Sequence, residues 1–135
     1  MLQKEKIVRE CLQLWSTLEG TIKSYREMHH PDFIWWNSAR GKLGGLQDCI
    51  KGVEVMHGML GVGRVEVVVR NVMAQPGRVT VERSDDLYRA DGSVIAKVPV
   101  VGVFEFKGDK IIELRDYCDD WMRDFRPDDA PRSLL

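Results

Sequence analysis

The chain has 135 residues, 20 of them Lys or Arg and 21 Asp or Glu, for a formal net charge of −1, and 44% of it is hydrophobic. That length suits one domain spanning residues 1–135, able to bury roughly two-thirds of its unfolded surface without staples. Lys and Arg are scattered rather than gathered into a stripe, which argues against nucleic acid as a partner.

The first predicted element is a helix over residues 2–18. Ile7, Val8, Cys11, Leu12, Leu14, Trp15 and Leu18 form its apolar stripe, with Lys and Glu on the other side. Gly20 is read as its end and Thr21 as the N-cap of a short second helix running through Tyr25 to about His29. Pro31 turns the chain out of helix, and "DFIWWNS" follows as a short aromatic strand. From Lys42 to Leu60 the spacing of Leu46, Ile50, Val53 and Met56 predicts a third helix, weakened by Gly44, Gly45, Gly52 and Gly58.

After Gly63 the texture changes. Residues 64–74, 78–89, 93–106 and 110–119 are alternating, β-branched runs separated by "QPG", "ADG" and "KGD", which are turn signals. Breaks this short favour antiparallel hairpins. "DWMRDF" is read as a last helical turn and the tail, 126–135, as loose. Helices first and hairpins after give an α+β domain, in which a curved, mostly antiparallel sheet forms a cone with the N-terminal helices on its concave face. Such a cone encloses a pocket open at one end.

Cys11, Cys49 and Cys118 are odd in number and widely spaced, so neither a disulfide framework nor a zinc knuckle is implied. The N-terminal stretch lacks the uninterrupted apolar core of a signal peptide, and no segment approaches the roughly 20 apolar residues of a membrane span. The expectation is a cytoplasmic, soluble protein with reduced thiols and no membrane partner.

Alternation along the strands then asks which side chains face the pocket. In residues 81–88 the odd positions read Val81, Arg83, Asp85 and Leu87: an ion pair on the face that should be buried. The even set, Glu82, Ser84, Asp86 and Tyr88, is polar and is assigned to water. In 110–119 the even set, Ile112, Leu114, Asp116 and Cys118, carries one charge on an apolar face, with Ile111 assigned to the wetter side. In "DFIWWNS", Phe33 and Trp35 accompany Asn37. Three strands thus aim isolated polar groups inward. An unpaired buried carboxylate is expensive, so Arg83, Asp85 and Asp116 should meet. Two acids sharing one cation do not titrate alike, which equips a site for general acid and base chemistry in one step.

"VERSDDL" followed by "VVGVFEFKGDKIIELRDYCD" resembles the limonene-1,2-epoxide hydrolase family, which has an Arg-x-Asp strand, a "GVF" strand, a Gly-Lys turn and an "RDYxD" strand in this order. The likeness is good over the C-terminal half. The resemblance implies a nuclear transport factor 2-like, SnoaL-like cone, a homodimer, and hydrolysis of a small lipophilic epoxide to a diol with no cofactor. It implies that Asp116 is the base acting on water, Asp85 the acid, Arg83 the bridge, and Asn37 a holder of the water. Trp35, Phe33, Leu87 and Leu114 would line the substrate's place. One departure is plain: the family has Tyr two residues before that Asn, and here the residue is Trp35. An indole N–H donates but accepts nothing, whereas a phenol does both.

Other candidates weigh less. "HHPD" (29–32) has no third residue spaced as a metal ligand, so His29 and His30 are read as surface or capping residues and no metal site is expected. His57 is read as packed or exposed, possible as a pocket residue but not as the base. Trp15, Trp36 and Trp121 are assigned to core or dimer contacts, and Cys118, with no histidine placed to activate it, to an inert thiol. Two rival functions stay open on the same cone: ketosteroid-isomerase or polyketide-cyclase chemistry, and a non-catalytic small-molecule-binding module.

Overall fold

The computed structural model describes residues 2–121. α1 (Leu2–Leu14) buries Val8, Cys11 and Leu12, the i, i+3, i+4 face of its apolar stripe. α2 (Leu18–Met28) follows after three residues, earlier than the sequence suggests. Its N-cap is Thr17, whose hydroxyl accepts from the Gly20 amide at 2.9 Å, so Thr21 and Gly20 lie inside the helix. Gly20 is there for close approach: a Cβ at that position would fall 2.1 Å from the Leu14 carbonyl oxygen. The glycine lets the second helix start against the end of the first.

β1 (His29–Asn37) continues directly from α2 and turns back as β2 (Gly41–Gly44), a short antiparallel partner. Residues 42–44, expected to be helical, are therefore strand, and α3 begins at Leu46 and runs to Leu60. Two glycines in succession removed the side chains on which helical periodicity could be judged. β3 (Val62–Gln75), β4 (Arg78–Arg89), β5 (Val94–Lys107) and β6 (Lys110–Tyr117) form the hairpin run. The sheet order is β2-β1-β6-β5-β4-β3. Every neighbouring pair is antiparallel except β1 with β6, which run parallel. That pairing sets Trp35 against Leu114 and Asn37 against Asp116.

The core lies between the helices and the inward sheet face, and includes Val8, Cys11, Leu12, Phe33, Val79, Val81, Phe104 and Leu114. Two details of alternation differ from expectation. A register shift between Glu105 and Phe106 pairs Phe106 with Ile111 and inserts an extra residue, Ile112, in β6, so Ile111 is fully buried rather than on the wet side. On β4 the outward-facing Ser84 and Asp86 are also buried, and the Ser84 hydroxyl donates to Asp86 at 2.6 Å. Each polar group of the pair meets the other. Among the described residues no helix is long and apolar enough to cross a membrane. The expected helical turn in "DWMRDF" and the 126–135 tail fall almost wholly outside the described residues.

Candidate functional site

β4 and β6 are not adjacent; β5 lies between them. Arg83 spans that gap. It is the largest fully buried side chain, and its Nε and Nη2 donate to Asp85 Oδ1 and Oδ2 at 2.9 and 3.2 Å. Nη2 also donates to Asp116 Oδ1 at 3.0 Å. The reach across β5 is open because Gly102 faces Asp116 in the ladder and has no side chain. A Cβ there would fall 2.3 Å from Arg83 Nη1 and 2.8 Å from Asp116 Oδ1. Trp15, from the turn between α1 and α2, covers the guanidinium, with its ring centroid 5.4 Å from Cζ. Its own indole N–H is held by Ser24 Oγ at 3.1 Å.

The electrostatics follow from this packing. Burial disfavours the Arg83 charge, but Asp116 and Asp85 more than offset it and hold the guanidinium above its ordinary value. Burial also pushes the Asp116 carboxyl above the usual carboxylate range; Arg83 opposes this and the like charge of Asp85 adds to it. Asp116 is thus a stronger base than a surface aspartate. The two acids differ in access, with 24% of the Asp85 side chain exposed and 7% of the Asp116 side chain.

Trp35 donates its indole N–H directly to Asp116 Oδ2 at 2.9 Å. Asn37 stands opposite Asp116 in the parallel register but is engaged elsewhere. Its Oδ1 accepts from the amides of Ala39 and Arg40 at 2.9 and 3.2 Å, closing the β1–β2 turn, and its Nδ2 faces Cys118 Sγ at 3.5 Å. Burial raises the Cys118 thiol, so it is poorly ionised.

Two adjoining hollows, of about 130 and about 150 Å³, share Trp35, Asp85, Leu87 and Asp116 as walls. Leu114 lines the second, where Trp15 and His57 also stand, and Trp121 and Asn37 line the first. Phe33 lines neither: it is fully buried, with its ring against Tyr25 and His29. His29 is likewise interior rather than on the surface, though it does close α2, its Nδ1 lying 2.8 Å from the Ser24 carbonyl. His30 Nδ1 accepts from the Asp32 amide at 3.0 Å. Among the described residues no three or more His, Cys, Asp or Glu side chains are grouped to hold a metal ion.

Alternation along the strands gathered Arg83, Asp85 and Asp116, and it missed Trp15 and Gly102. A glycine inside a β-branched run is a sign of close approach, and "VVGVF" carries that sign. Trp15 has no comparable local signal, since its role depends on how α1 ends.

The solved structures that this chain resembles include an LEH-like epoxide hydrolase of M. tuberculosis, at 23% identity, TM-score 0.69, over 87% of this chain and 84% of that one. A protein from Jannaschia sp. CCS1 described as a SnoaL-like polyketide cyclase matches at 24% identity and TM-score 0.74, over 87% and 86%. A nuclear transport factor 2-like protein of unknown function from Burkholderia pseudomallei K96243 matches at 15% identity and TM-score 0.74, over 94% and 100%. No curated protein matches the sequence. At these identities the likeness shows the shared curved-sheet fold. The family model for the limonene-1,2-epoxide hydrolase catalytic domain matches residues 34–124, a span that holds the end of β1 with Trp35 and Asn37, all of β6 and the whole Arg83 bridge, and the chain belongs to that family.

Proposed function

We propose that the cavity hydrolyses a small lipophilic epoxide to a diol in one step, without a cofactor. The observation that carries this reading is the single buried guanidinium bonded to two acids of unequal exposure. Asp116, as carboxylate, takes a proton from a water whose oxygen bonds to an epoxide carbon. As that carbon–oxygen bond of the ring breaks, the proton of Asp85 passes to the ring oxygen. The product is neutral, Asp116 is left protonated and Asp85 ionised, and one proton must return from the first to the second. Asp85, being the more exposed, can regain it by way of solvent. The pair carries one negative charge before and after the step, and Arg83, bonded to both acids, stabilises it on either one.

Trp35 does not block the base on this reading. A carboxylate offers about four lone-pair sites, and Arg83 and Trp35 use one on each oxygen of Asp116, so a water can still be received. Asn37 contributes an amide N–H to the water, its oxygen being spent on the turn.

Single-turnover reaction of a panel of epoxides in oxygen-18 water tests the proposal. Label should enter the diol and not the protein, and Asp116→Asn and Asp85→Asn should each lower kcat by about 10²–10⁴-fold. A panel that is wholly unreacted would leave a binding module, and turnover indifferent to both substitutions would remove Asp85 and Asp116 from the chemistry. The Trp35 bond to Asp116 favours one rival: with a neutral donor on its carboxyl and an apolar hollow beside it, the site could instead move a proton next to a ketone. Exchange of deuterium into a ketone ligand, without hydrolysis of any epoxide, would select that rival.

We also infer a homodimer through the outward sheet face, where Trp36 packs on Tyr117 at 5.1 Å between ring centroids and Tyr117 pairs with Val101.

A further inference from the structure

His57 lies on α3, and its side chain lines the second hollow together with Arg83, Asp85 and Asp116. Its Nδ1 is 2.9 Å from the carbonyl oxygen of Val53, one turn earlier. A carbonyl can only accept, so Nδ1 carries the hydrogen and Nε2 presents a lone pair. Burial holds the imidazole below its ordinary pKa and so favours this neutral form. Nε2 is shielded from bulk solvent and has no hydrogen-bond partner among the described residues. An unmet buried acceptor is a cost to folding, and a donor on a ligand held in this cavity would offset it.

The surroundings say what kind of ligand. The Thr21 hydroxyl in the same hollow is already donated to the Thr17 carbonyl at 2.8 Å. Val53, Val65, Leu87 and Leu114 give the hollow hydrocarbon walls, and Arg83, Asp85 and Asp116 stand at its polar side. A hollow of about 150 Å³ has room for a six-carbon ring, since a dry cavity of that order takes benzene.

We propose that His57 is a specificity-determining residue whose Nε2 accepts a hydrogen bond from a hydroxyl carried by the substrate away from the ring that opens, making epoxy alcohols the substrate class. This rests on the epoxide-hydrolase reading for the reaction, but not for the binding preference itself.

The test uses a matched pair of epoxycyclohexanes, one bearing a hydroxymethyl group and the other an ethyl group. The wild-type chain should prefer the alcohol by about tenfold or more in kcat/KM, because a buried acceptor is left unpaired by the hydrocarbon. In His57→Phe the preference should vanish, read as the ratio of the two kcat/KM values whatever the absolute rates. His57→Gln, which keeps an acceptor, should retain part of it. Binding of the same pair, followed by calorimetry and by the Nε2 nitrogen resonance of His57, separates the two ideas. If neither epoxide reacts but the alcohol still binds tighter and shifts that resonance, hydrolysis falls and the assignment of His57 stands. Equal handling of the pair by the wild type, a preference that survives in His57→Phe, or failure of the alcohol to bind would overturn it.

Discussion

Arg83 sits where it does because Gly102 has no side chain. The guanidinium lies over the β5 backbone at that point, and any Cβ would occupy its place. Gly102→Ala should therefore force Arg83 or Asp116 to move, and neither can move cheaply while both are buried. Overpacking of this kind typically costs about 1–3 kcal/mol, and denaturant unfolding should show it. Turnover should fall further than stability does, because the acids lose their common partner. Full activity in the alanine variant would mean that the bridge is not needed for the chemistry. The outline of this arrangement was legible in residues 81–88, where alternation set Arg83 and Asp85 on the same face as Val81 and Leu87. What could not be read was the committed state of Asn37: its position two residues past Trp35 fixes its face, while the turn that claims its oxygen depends on β2.

At the scale of elements, the junction of α2 and β1 carries a titratable group inside the core. Burial lowers the His29 pKa from 6.5 to about 4, only partly opposed by its bond to the Ser24 carbonyl. Between these values the unfolded chain binds a proton that the folded chain refuses, so stability falls as the pH drops from 6.5 towards 4. Linkage over that interval amounts to about 3 kcal/mol, fully present as stability above pH 6.5. Asp116, whose carboxyl is raised, acts in the opposite sense. The difference between the wild type and His29→Gln isolates the histidine: the variant's unfolding free energy should lose most of its slope between pH 6.5 and 4. An unchanged slope would place the protonation elsewhere. Strand lengths were legible at this scale because turn signals bounded them; β4 spans Arg78–Arg89, as its pattern suggests. The bulge at Ile112 was not, since one extra residue leaves no compositional mark and appears only through pairing with β5. Likewise Gly20 reads alone as a helix end, and only the carbonyl of Leu14 beneath it shows that the helix passes through.

For the whole molecule, the inward face of the sheet is covered by helices and the outward face is not. Val101 and Tyr117 are 40% and 45% exposed on that outer face, and with Trp36 they form a patch crossing β5, β6 and β1. The proposed homodimer would bury this patch. Light scattering should give twice the chain mass, and Val101→Glu should shift it to the single-chain mass without altering the circular dichroism. A wild-type chain that is monomeric at micromolar concentration removes the proposed pairing. The α+β layout was legible from helices preceding hairpins, whereas the parallel neighbour relation of β1 and β6 was not, because nothing local announces a partner 81 residues away, as Trp35 is from Asp116.

That separation bears on how the protein is made. Synthesis delivers β1 early and β6 last among the strands, so during translation β1 has only β2 beside it, and its other edge stays open until residues 110–117 leave the ribosome. The indole of Trp35 and the carboxylate of Asp116 meet only then, and a nascent chain stalled before β6 would hold a formed hairpin stack and an open strand edge, with Arg83 bonded to one acid instead of two.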